Sequence, residues 1–377
     1  MKTMQIGIDA RFYGTKHTGI GRYVQNLILN LAKVDKTNQY LVFGGELVRD
    51  EIKEFANFKW VKLETRPYTI AEQLINAIVF YNAKLDLLHV PHFNAPIYYP
   101  GKYVITIHDL IKHLSVGKAT TTLPHYQYLI KHFAYRMAIR INLVRADKII
   151  VPAFFWKDYL IKHFHVPEAK IFVTYESAGK ALTKKSKLNP PEVLRKYGLV
   201  KPFVIYTGNL YPHKNVPFLV EAIRQFDASH EHHLTLALAC ARDDSFKNVV
   251  ETDETIKFLG YVPDPELAIL YSQALALVQP SLIEGFGLTG LEAMSVGLPV
   301  LSSNATCLPE IYGDAALYFD PRSLDDLVRK LALLFTDQVT QVKLIAAGKK
   351  RVREFSWQRM ARQTLSVYKS AVLAATK

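Results

Sequence analysis

The chain has 377 residues, of which 49% are hydrophobic and 21% charged, with a formal net charge of +13. That composition fits two globular domains and no disulfide framework; no apolar run reaches the ~18 residues of a membrane span, and Asp9 and Arg11 interrupt the N-terminal stretch too early for a signal-peptide core. The charge is uneven: residues 1–185 carry 26 Lys+Arg against 14 Asp+Glu, residues 186–377 carry 21 against 20, so the first half projects a field that attracts an anionic partner.

In chain order, "MQIGIDA" reads as a strand. A loop follows to Gly21, and a helix runs from about Arg22 to Ala32. Gly19 and Gly21 precede that helix, but G-x-G-x-x-G is absent, which argues against a nicotinamide cofactor. "YLVFGG" is the next strand, then "LDLLHVP" and "YVITIHDL". Of these last two, the first delivers His89, His92 and Asn94 to a strand end, where they could hydrogen-bond a polyol; the second ends in His108 and Asp109, which read as a structural histidine capping a helix or a neighbouring carbonyl, or as a poor metal pair. No helical i,i+4 spacing supports a zinc site, so no metal is expected. "LPHYQYLIKHFAYRMAIRINLVRA" reads as a helix with Tyr126, Ile130, Phe133, Met137 and Ile141 on one face. His125, His132, Arg136 and Arg140 lie on another. A core helix with a solvated basic side is one reading of it; peripheral binding to an anionic membrane is the other. "ADKIIVPA" is a further strand, and Phe154, Phe155 and Trp156 after it would form an interfacial wedge in the membrane reading. "GKALTKKSKLNPPEV", aperiodic with four lysines and a Pro-Pro pair, is expected to be the interdomain linker.

The second half repeats the strand–helix rhythm. "FVIYTG" leads through Asn209, His213 and Lys214 to a helix at "VPFLVEAIRQF", with Asn215 as a candidate N-cap. "LTLALAC" and "IKFLG" are strands, Pro265 opens a helix, and "ALALVQP", "PVLSS" and "AALYF" are later strands. Cys240 and Cys307 read as small packing residues in a reducing compartment. Strands alternating with helices imply parallel βαβ units, hence an α/β protein of two Rossmann-like halves facing a central cleft. Ligands should then gather at the carboxyl ends of the strands.

The densest chemical signal is "PSLIEGFGLTGLEAMSVGLPV". Glu284 and Glu292 stand eight residues apart around Gly285, Gly287 and Gly290. The glycines let a ligand approach the backbone, and a helix beginning near Leu288 aims free N–H groups at the same place, with Glu292 expected within its first turn or so. Helix-end stabilisation alone would explain one such glutamate at about 0.3–1 kcal/mol, but it does not explain the pair with three glycines.

Together with "TGIGRY", "PHFNAP", "TIHDL", "GNLYPHKN", "SSNATCLPEIYGDAALYFDP" and "FSWQRMARQT", this stretch resembles the retaining glycosyltransferases of family 4, which have the GT-B fold. The matching pieces span nearly the whole chain in order. The resemblance implies an acceptor-binding domain over 1–180, a nucleotide-sugar domain over 190–355, and a last helix, 356–377, that crosses back onto the first domain. It implies that Glu284 faces the donor sugar and that Glu292 binds the ribose. The backbone of Gly285, Phe286, Gly287 and Leu288 would hold sugar and phosphates. Lys214, beside Asn209 and His213, would neutralise the diphosphate. Gly19 and Gly21 would approach that diphosphate, and His108 would contact the sugar hydroxyls. His92, Asn94 and Asp109 fall to the acceptor side. Asn209 and His213 stand where the family often has an arginine, for which Arg22 could compensate. Thr289 and Gly290 depart from the usual turn and would loosen it.

The expected activity is metal-independent, configuration-retaining transfer from a nucleoside-diphosphate sugar, GDP-mannose by resemblance, to a glycan or lipid-linked glycan. The protein is expected in the cytoplasm, peripheral on the inner face of the membrane. The alternatives are another GT-B enzyme such as an epimerase, or a non-catalytic binder of anionic lipid or nucleic acid. No nucleic-acid-binding signature supports the latter.

Overall fold

The computed structural model describes residues 3–14, 18–115, 124–179, 182, 188–231, 233–240 and 253–373, with backbone only at 18 and 125. They form two compact units. The first holds the described residues within 1–110, 123–176 and 356–377, the second those within 111–122 and 177–355.

The elements of the first unit run β1 (Gln5–Asp9), α1 (Thr18–Val34), β2 (Gln39–Gly44), α2 (Glu46–Ile52), β3 (Phe58–Lys62), α3 (Ile70–Asn82), β4 (Leu87–Val90) and β5 (Tyr103–Thr106). A short α4 (Ile111–Leu114) clusters with the second unit. The first unit resumes with α5 (His125–Arg145), β6 (Lys148–Val151), α6 (Phe154–Phe164) and β7 (Ile171–Val173). All its strand pairs are parallel, in the order β3-β2-β1-β4-β5-β6-β7. Right-handed crossovers put α1 and α2 on one face of this sheet and α3, α5 and α6 on the other.

The second unit contains α7 (Pro190–Lys196), β8 (Phe203–Gly208), α8 (Val216–Ser229), β9 (Thr235–Cys240), β10 (Ile256–Gly260) and α9 (Asp264–Gln273). It continues through β11 (Leu277–Gln279), α10 (Leu288–Ser295), β12 (Val300–Ser303), α11 (Leu308–Tyr312), β13 (Ala316–Phe319), α12 (Leu324–Thr336) and α13 (Gln338–Val352). Its strands are also all parallel, ordered β10-β9-β8-β11-β12-β13. The final helix α14 (Trp357–Leu373) returns to the first unit. There Met360, Ala361, Val367, Tyr368 and Ala371 join Tyr23, Leu27 and Leu31 of α1 in one core cluster. The Tyr368 hydroxyl meets His89 Nδ1 at 2.6 Å, and Lys102 Nζ donates to the Val372 carbonyl at 3.1 Å.

Strand order reverses between β1 and β4 in one sheet and between β8 and β11 in the other. At such reversals neighbouring loops diverge and leave room for a ligand beyond the strand ends.

Several expectations are corrected here. The first helix begins at Thr18, so Gly19 and Gly21 lie in its first turn and not in a loop before it. Gly21 suits this because a Cβ there would fall 1.9 Å from the Gly14 carbonyl oxygen. The Pro-Pro pair opens α7 instead of belonging to a linker, since proline needs no hydrogen-bonded N–H at a first helical position. Most of the remaining expected linker, at 180, 181 and 183–187, lies outside the described residues. Trp156 is fully buried and cannot act in an interfacial wedge, although Phe154 is exposed. The apolar face read on α5 is not packed in a core: Tyr126, Ile130, Phe133 and Met137 are exposed, and Ile141 is half-buried. The side chain of His125 lies outside the described residues.

Candidate active site

In the second unit, two loops leave the switch point. The loop after β8 makes a 3-10 turn at Pro212–Lys214 and reverses at Asn215, which has a left-handed φ of 58°. Asn215 does not cap α8 with its side chain, as its sequence position suggested. Its amide donates instead to the Pro321 carbonyl at 3.0 Å and so fixes the turn. The loop after β11 carries Ser281 and Glu284. The two loops are tied by a backbone bond from Leu282 N–H to the His213 carbonyl, 2.8 Å.

Lys214 and Glu284 meet on this frame. Lys214 Nζ lies 2.7 Å from Glu284 Oε1, and the same oxygen accepts from Ser281 Oγ at 2.7 Å and Gln279 Nε2 at 2.9 Å. Among the described residues no hydrogen bond reaches Oε2. Burial alone would raise the Glu284 pKa, but the Lys214 charge and these donors outweigh it and hold the carboxyl below its usual range. His213 is driven the other way, down to about 4, by burial and the Lys214 charge, against a smaller opposing pull from Glu284. It therefore sits uncharged near neutrality beside the lysine.

Tyr312 organises the floor of this site. Its hydroxyl lies 2.6 Å from Gln279 Oε1 and 2.7 Å from the Gly287 carbonyl, with its single proton shared between the two acceptors. With Oε1 so engaged, the Gln279 amide must turn its Nε2 to Glu284. The ring lies directly against Gly287 and Gly290: added Cβ atoms would approach it to 2.5 and 2.3 Å. Gly290 therefore does not loosen the turn; it makes room for Tyr312. Gly287 enters α10 with φ 103°, a conformation that favours glycine. Phe286 buries its ring against Phe355, with centroids 5.9 Å apart, so this residue can offer a ligand only its backbone. Gly285 and Leu288 are half-buried. Glu292 is buried in the second turn of α10, not the first, and its Oε1 lies 3.6 Å from the position a Cβ would take at Gly179. Asn209 is half-buried, with its Oδ1 accepting from Tyr211 N–H at 3.4 Å.

Sequence reasoning missed Gln279, Ser281, Thr306, Cys307 and Tyr312. Thr306 Oγ1 accepts from Glu284 N–H at 3.0 Å, and Cys307 Sγ donates to the Glu284 carbonyl at 3.3 Å. Gln279 and Ser281 lie on the strand end and loop that carry Glu284, whereas only the strand order brings Thr306, Cys307 and Tyr312 to it.

In the first unit, the loops beyond β4 and β5 hold the other candidates. His108 Nδ1 lies 3.3 Å from Glu176 Oε1, its Nε2 lies 3.1 Å from the Pro91 carbonyl, and Tyr23 packs on it edge-to-face. Asp109 beside it is half-buried. His92 Nδ1 accepts from Asn94 N–H at 3.2 Å, leaving the ring proton on Nε2 towards the Tyr68 hydroxyl at 3.2 Å. The Asn94 amide is held by Glu72 at 2.8 Å and Gln73 at 3.3 Å. Glu72 in turn pairs with Arg11 at 2.7 Å, and Arg11 pairs with Asp9 at 2.6 Å, all three buried. His89 is no polyol ligand. It is fully buried between Tyr368 and Thr106, and burial, with a smaller push from His108, drives its pKa down to about 3. Gly19 is exposed at the start of α1, and a Cβ there would meet nothing within 4 Å. Among the described residues no cluster of His, Cys, Asp and Glu is arranged to hold a metal ion.

Known proteins resemble this chain in sequence and fold. The family model described as Glycosyltransferase Family 4 matches residues 17–176, and that described as Glycosyl transferases group 1 matches residues 194–351. The chain is 30% identical to O-antigen chain mannosyltransferase B of Escherichia coli, over 93% of this chain and 96% of that one. It is 29% identical to O-antigen chain mannosyltransferase RfbU of Salmonella typhimurium, over 65% of this chain and 63% of that one. Sucrose-phosphate synthase from Thermosynechococcus elongatus superimposes with a TM-score of 0.75 at 20% identity, covering 99% of this chain and all of that one.

Proposed function

The chain belongs to the family 4 glycosyltransferases and has their GT-B fold, and from that premise we propose that it moves mannose from GDP-mannose to a hydroxyl of a glycan or lipid-linked glycan, with retention of configuration. The observation that carries this reading is the Lys214–Glu284 pair beyond the β8/β11 switch point, beside a helix mouth opened by Gly287. Mannose is favoured by the names of the relatives that cover most of the chain.

In this mechanism the donor's diphosphate approaches Lys214 and the N–H groups at the start of α10. Negative charge grows on the leaving phosphate as the glycosidic bond breaks, and donors already in place stabilise it without reorganisation. Lys214 has three N–H donors, so it can keep Glu284 while taking a phosphate oxygen. Glu284, held ionised, presents Oε2 towards the sugar carbon as positive charge develops there. Gln279 and Ser281 fix its other oxygen. Glu292 would accept from ribose hydroxyls. The acceptor hydroxyl attacks from the face the phosphate leaves and passes its proton to the departing phosphate oxygen, and no metal is required. The first unit, with His92, Asn94 and Asp109 on its strand-end loops, would receive the acceptor. Among the described residues no helix is long and apolar enough to cross a membrane, so a lipid-linked acceptor would be met from the bilayer surface.

The test is transfer and donor hydrolysis by the purified chain across a panel of sugar nucleotides. GDP-mannose at 100 times its dissociation constant should stabilise the fold by about 2.7 kcal/mol in a thermal-shift assay. Glu284→Gln and Lys214→Ala should each lower kcat by about 100-fold or more. Transfer that survives both changes together sinks the proposal, and product NMR showing an inverted anomer sinks its stereochemical half.

A further inference from the structure

Tyr68 stands in the loop between β3 and α3 with a left-handed φ of 63°, a conformation that a bulky residue adopts only under constraint. The residue is 56% exposed, so burial in a core does not supply that constraint. Phe12, His92 and Phe93 flank its ring, with centroids 6.4, 5.7 and 6.1 Å away.

The constraint comes from the buried ion network. Tyr68 N–H donates to Glu72 Oε2 at 2.5 Å, and the Asn94 amide donates to the same oxygen at 2.8 Å. Glu72 is the third residue of α3, and its own N–H bonds the Thr69 hydroxyl that caps the helix, at 3.1 Å. A glutamate at that position usually folds back on the N–H of the capping residue. This one reaches one residue further, to Tyr68, and Arg11 holds it there from the side of Asp9. The Tyr68 hydroxyl is fixed as well, 3.2 Å from His92 Nε2. A buried ion network adds little net stability; the product of this one is the orientation of a single exposed aromatic ring.

The surroundings identify what that ring receives. Burial of its hydroxyl end, then the carboxylates of Glu72 and Asp109, push the Tyr68 phenol up to about 12. Burial and then Asp109 push the Tyr135 phenol up too, so Asp109 lies near both hydroxyls. An aromatic face beside a carboxylate suits a pyranose, whose C–H face packs on the ring while its hydroxyls donate to the carboxylate. A phosphate would be repelled by Asp109, and an alkyl chain would give it no hydrogen bond. His92 and Asn94, 4 and 7% exposed and bonded within the network, act from behind the ring. We propose that Tyr68 is the platform on which the acceptor's terminal sugar stacks, that Asp109 accepts from its hydroxyls, and that Glu72, braced by Arg11, is the positioning residue for the ring. This rests on the transfer proposed above and names the residue that selects a sugar as its acceptor.

The experiment reads acceptor binding apart from donor chemistry. Saturation-transfer NMR of the full chain is recorded with the methyl pyranosides of mannose, glucose, galactose and N-acetylglucosamine, and with mannitol as a polyol without a ring. Ring protons of at least one pyranoside should take up saturation, and mannitol should take up little. Tyr68→Phe should keep the signal. Tyr68→Ala should weaken pyranoside binding by about tenfold or more and raise the acceptor KM by the same factor, while the thermal shift given by GDP-mannose stays as in the parent. Glu72→Gln should weaken pyranoside binding too, but adding it to Tyr68→Ala should cost nothing further, because Glu72 acts through the ring. Tyr68→Gly should melt above Tyr68→Ala, since only glycine accepts φ 63° without strain; this comparison tests the constraint even if circular dichroism shows Glu72→Gln unfolded. Signal from no pyranoside, or equal binding by Tyr68→Ala and the parent, overturns the platform. Additive losses, or a Tyr68→Gly variant that melts no higher than Tyr68→Ala, overturn the positioning role. Transfer with an unchanged acceptor KM in Tyr68→Ala refutes this proposal alone, whereas Tyr68-dependent pyranoside binding without any transfer refutes the enzymatic reading alone.

Discussion

A single carboxylate oxygen, Glu284 Oε1, collects a lysine, a serine and a glutamine, and Tyr312 decides which way that glutamine points. Tyr312→Phe should therefore do two things. Loss of its hydrogen bonds should cost about 1–2 kcal/mol in chemical denaturation, and kcat should fall because Gln279, no longer held at Oε1, can swing away from Glu284. A Phe variant with lower stability but unchanged kcat would remove Tyr312 from the positioning chain. Gly290→Ala pushes a methyl against the same ring, 2.3 Å from its atoms, and should destabilise the second unit by about 1–3 kcal/mol; a melting temperature equal to the parent's would show that Tyr312 can move aside. Glu284, Glu292 and Lys214 were legible in the sequence because glycines and charges in a short span restrict what the chain can do there. Tyr312 was not, because a buried hydrogen bond between distant residues leaves no periodicity to read, and Gln279 and Ser281 were not, because an ordinary polar residue at a strand end does not show in sequence which way its side chain turns. His89 was misread for a related reason: a histidine at a strand end looks the same whether it faces solvent or a returning helix.

That returning helix makes His89 a reporter for the element. Its Nδ1 faces Tyr368 of α14 and its Nε2 faces Thr106 of β5. Burial has lowered its pKa from the ordinary 6.5 to about 3. Between those values the unfolded chain binds a proton that the folded chain refuses, so stability is full above about pH 6.5 and declines as pH falls towards 3. The slope from this one group approaches 1.4 kcal/mol per pH unit, about the value for a single proton. His89→Gln retains a donor and an acceptor but no titration, and its urea midpoint should vary less between pH 6.5 and 4; an unchanged slope would place the acid sensitivity elsewhere. The parallel strands were legible as apolar runs because both faces of such a sheet are covered. Strand β3 was not, since "FKWVK" is an edge strand with two lysines and no run to mark it. The face of α5 was left between a core and a surface reading because periodicity reports a stripe without saying what covers it, and α3 escaped notice because its buried side mixes Glu72 and Asn76 with Ala77 and Phe80.

At the scale of the molecule, each unit is a parallel sheet whose order reverses once, and the strand–helix rhythm of the sequence was enough to expect two of them. What the rhythm did not contain is how much the first unit depends on the end of the chain. Met360, Val367 and Tyr368 are buried to 3% exposure or less in the cluster that also holds α1. At about 1.5–3 kcal/mol for each large buried side chain, these three contribute roughly 5–9 kcal/mol, comparable with the roughly 5–15 kcal/mol of a whole domain. A chain ending at Phe355 keeps every residue of the Lys214–Glu284 site but leaves α1 and the His89 imidazole without their cover. Calorimetry of the full chain should resolve the heat absorbed by both units; the shortened chain should lose the share of the first unit while its second unit still melts and is still stabilised by GDP-mannose. If the shortened chain melts with undiminished enthalpy, α14 is an accessory to the first unit and not part of its core. If the second unit's transition vanishes as well, the two cores fold as one cooperative body, and the division of labour proposed for them would have to be argued again from the start.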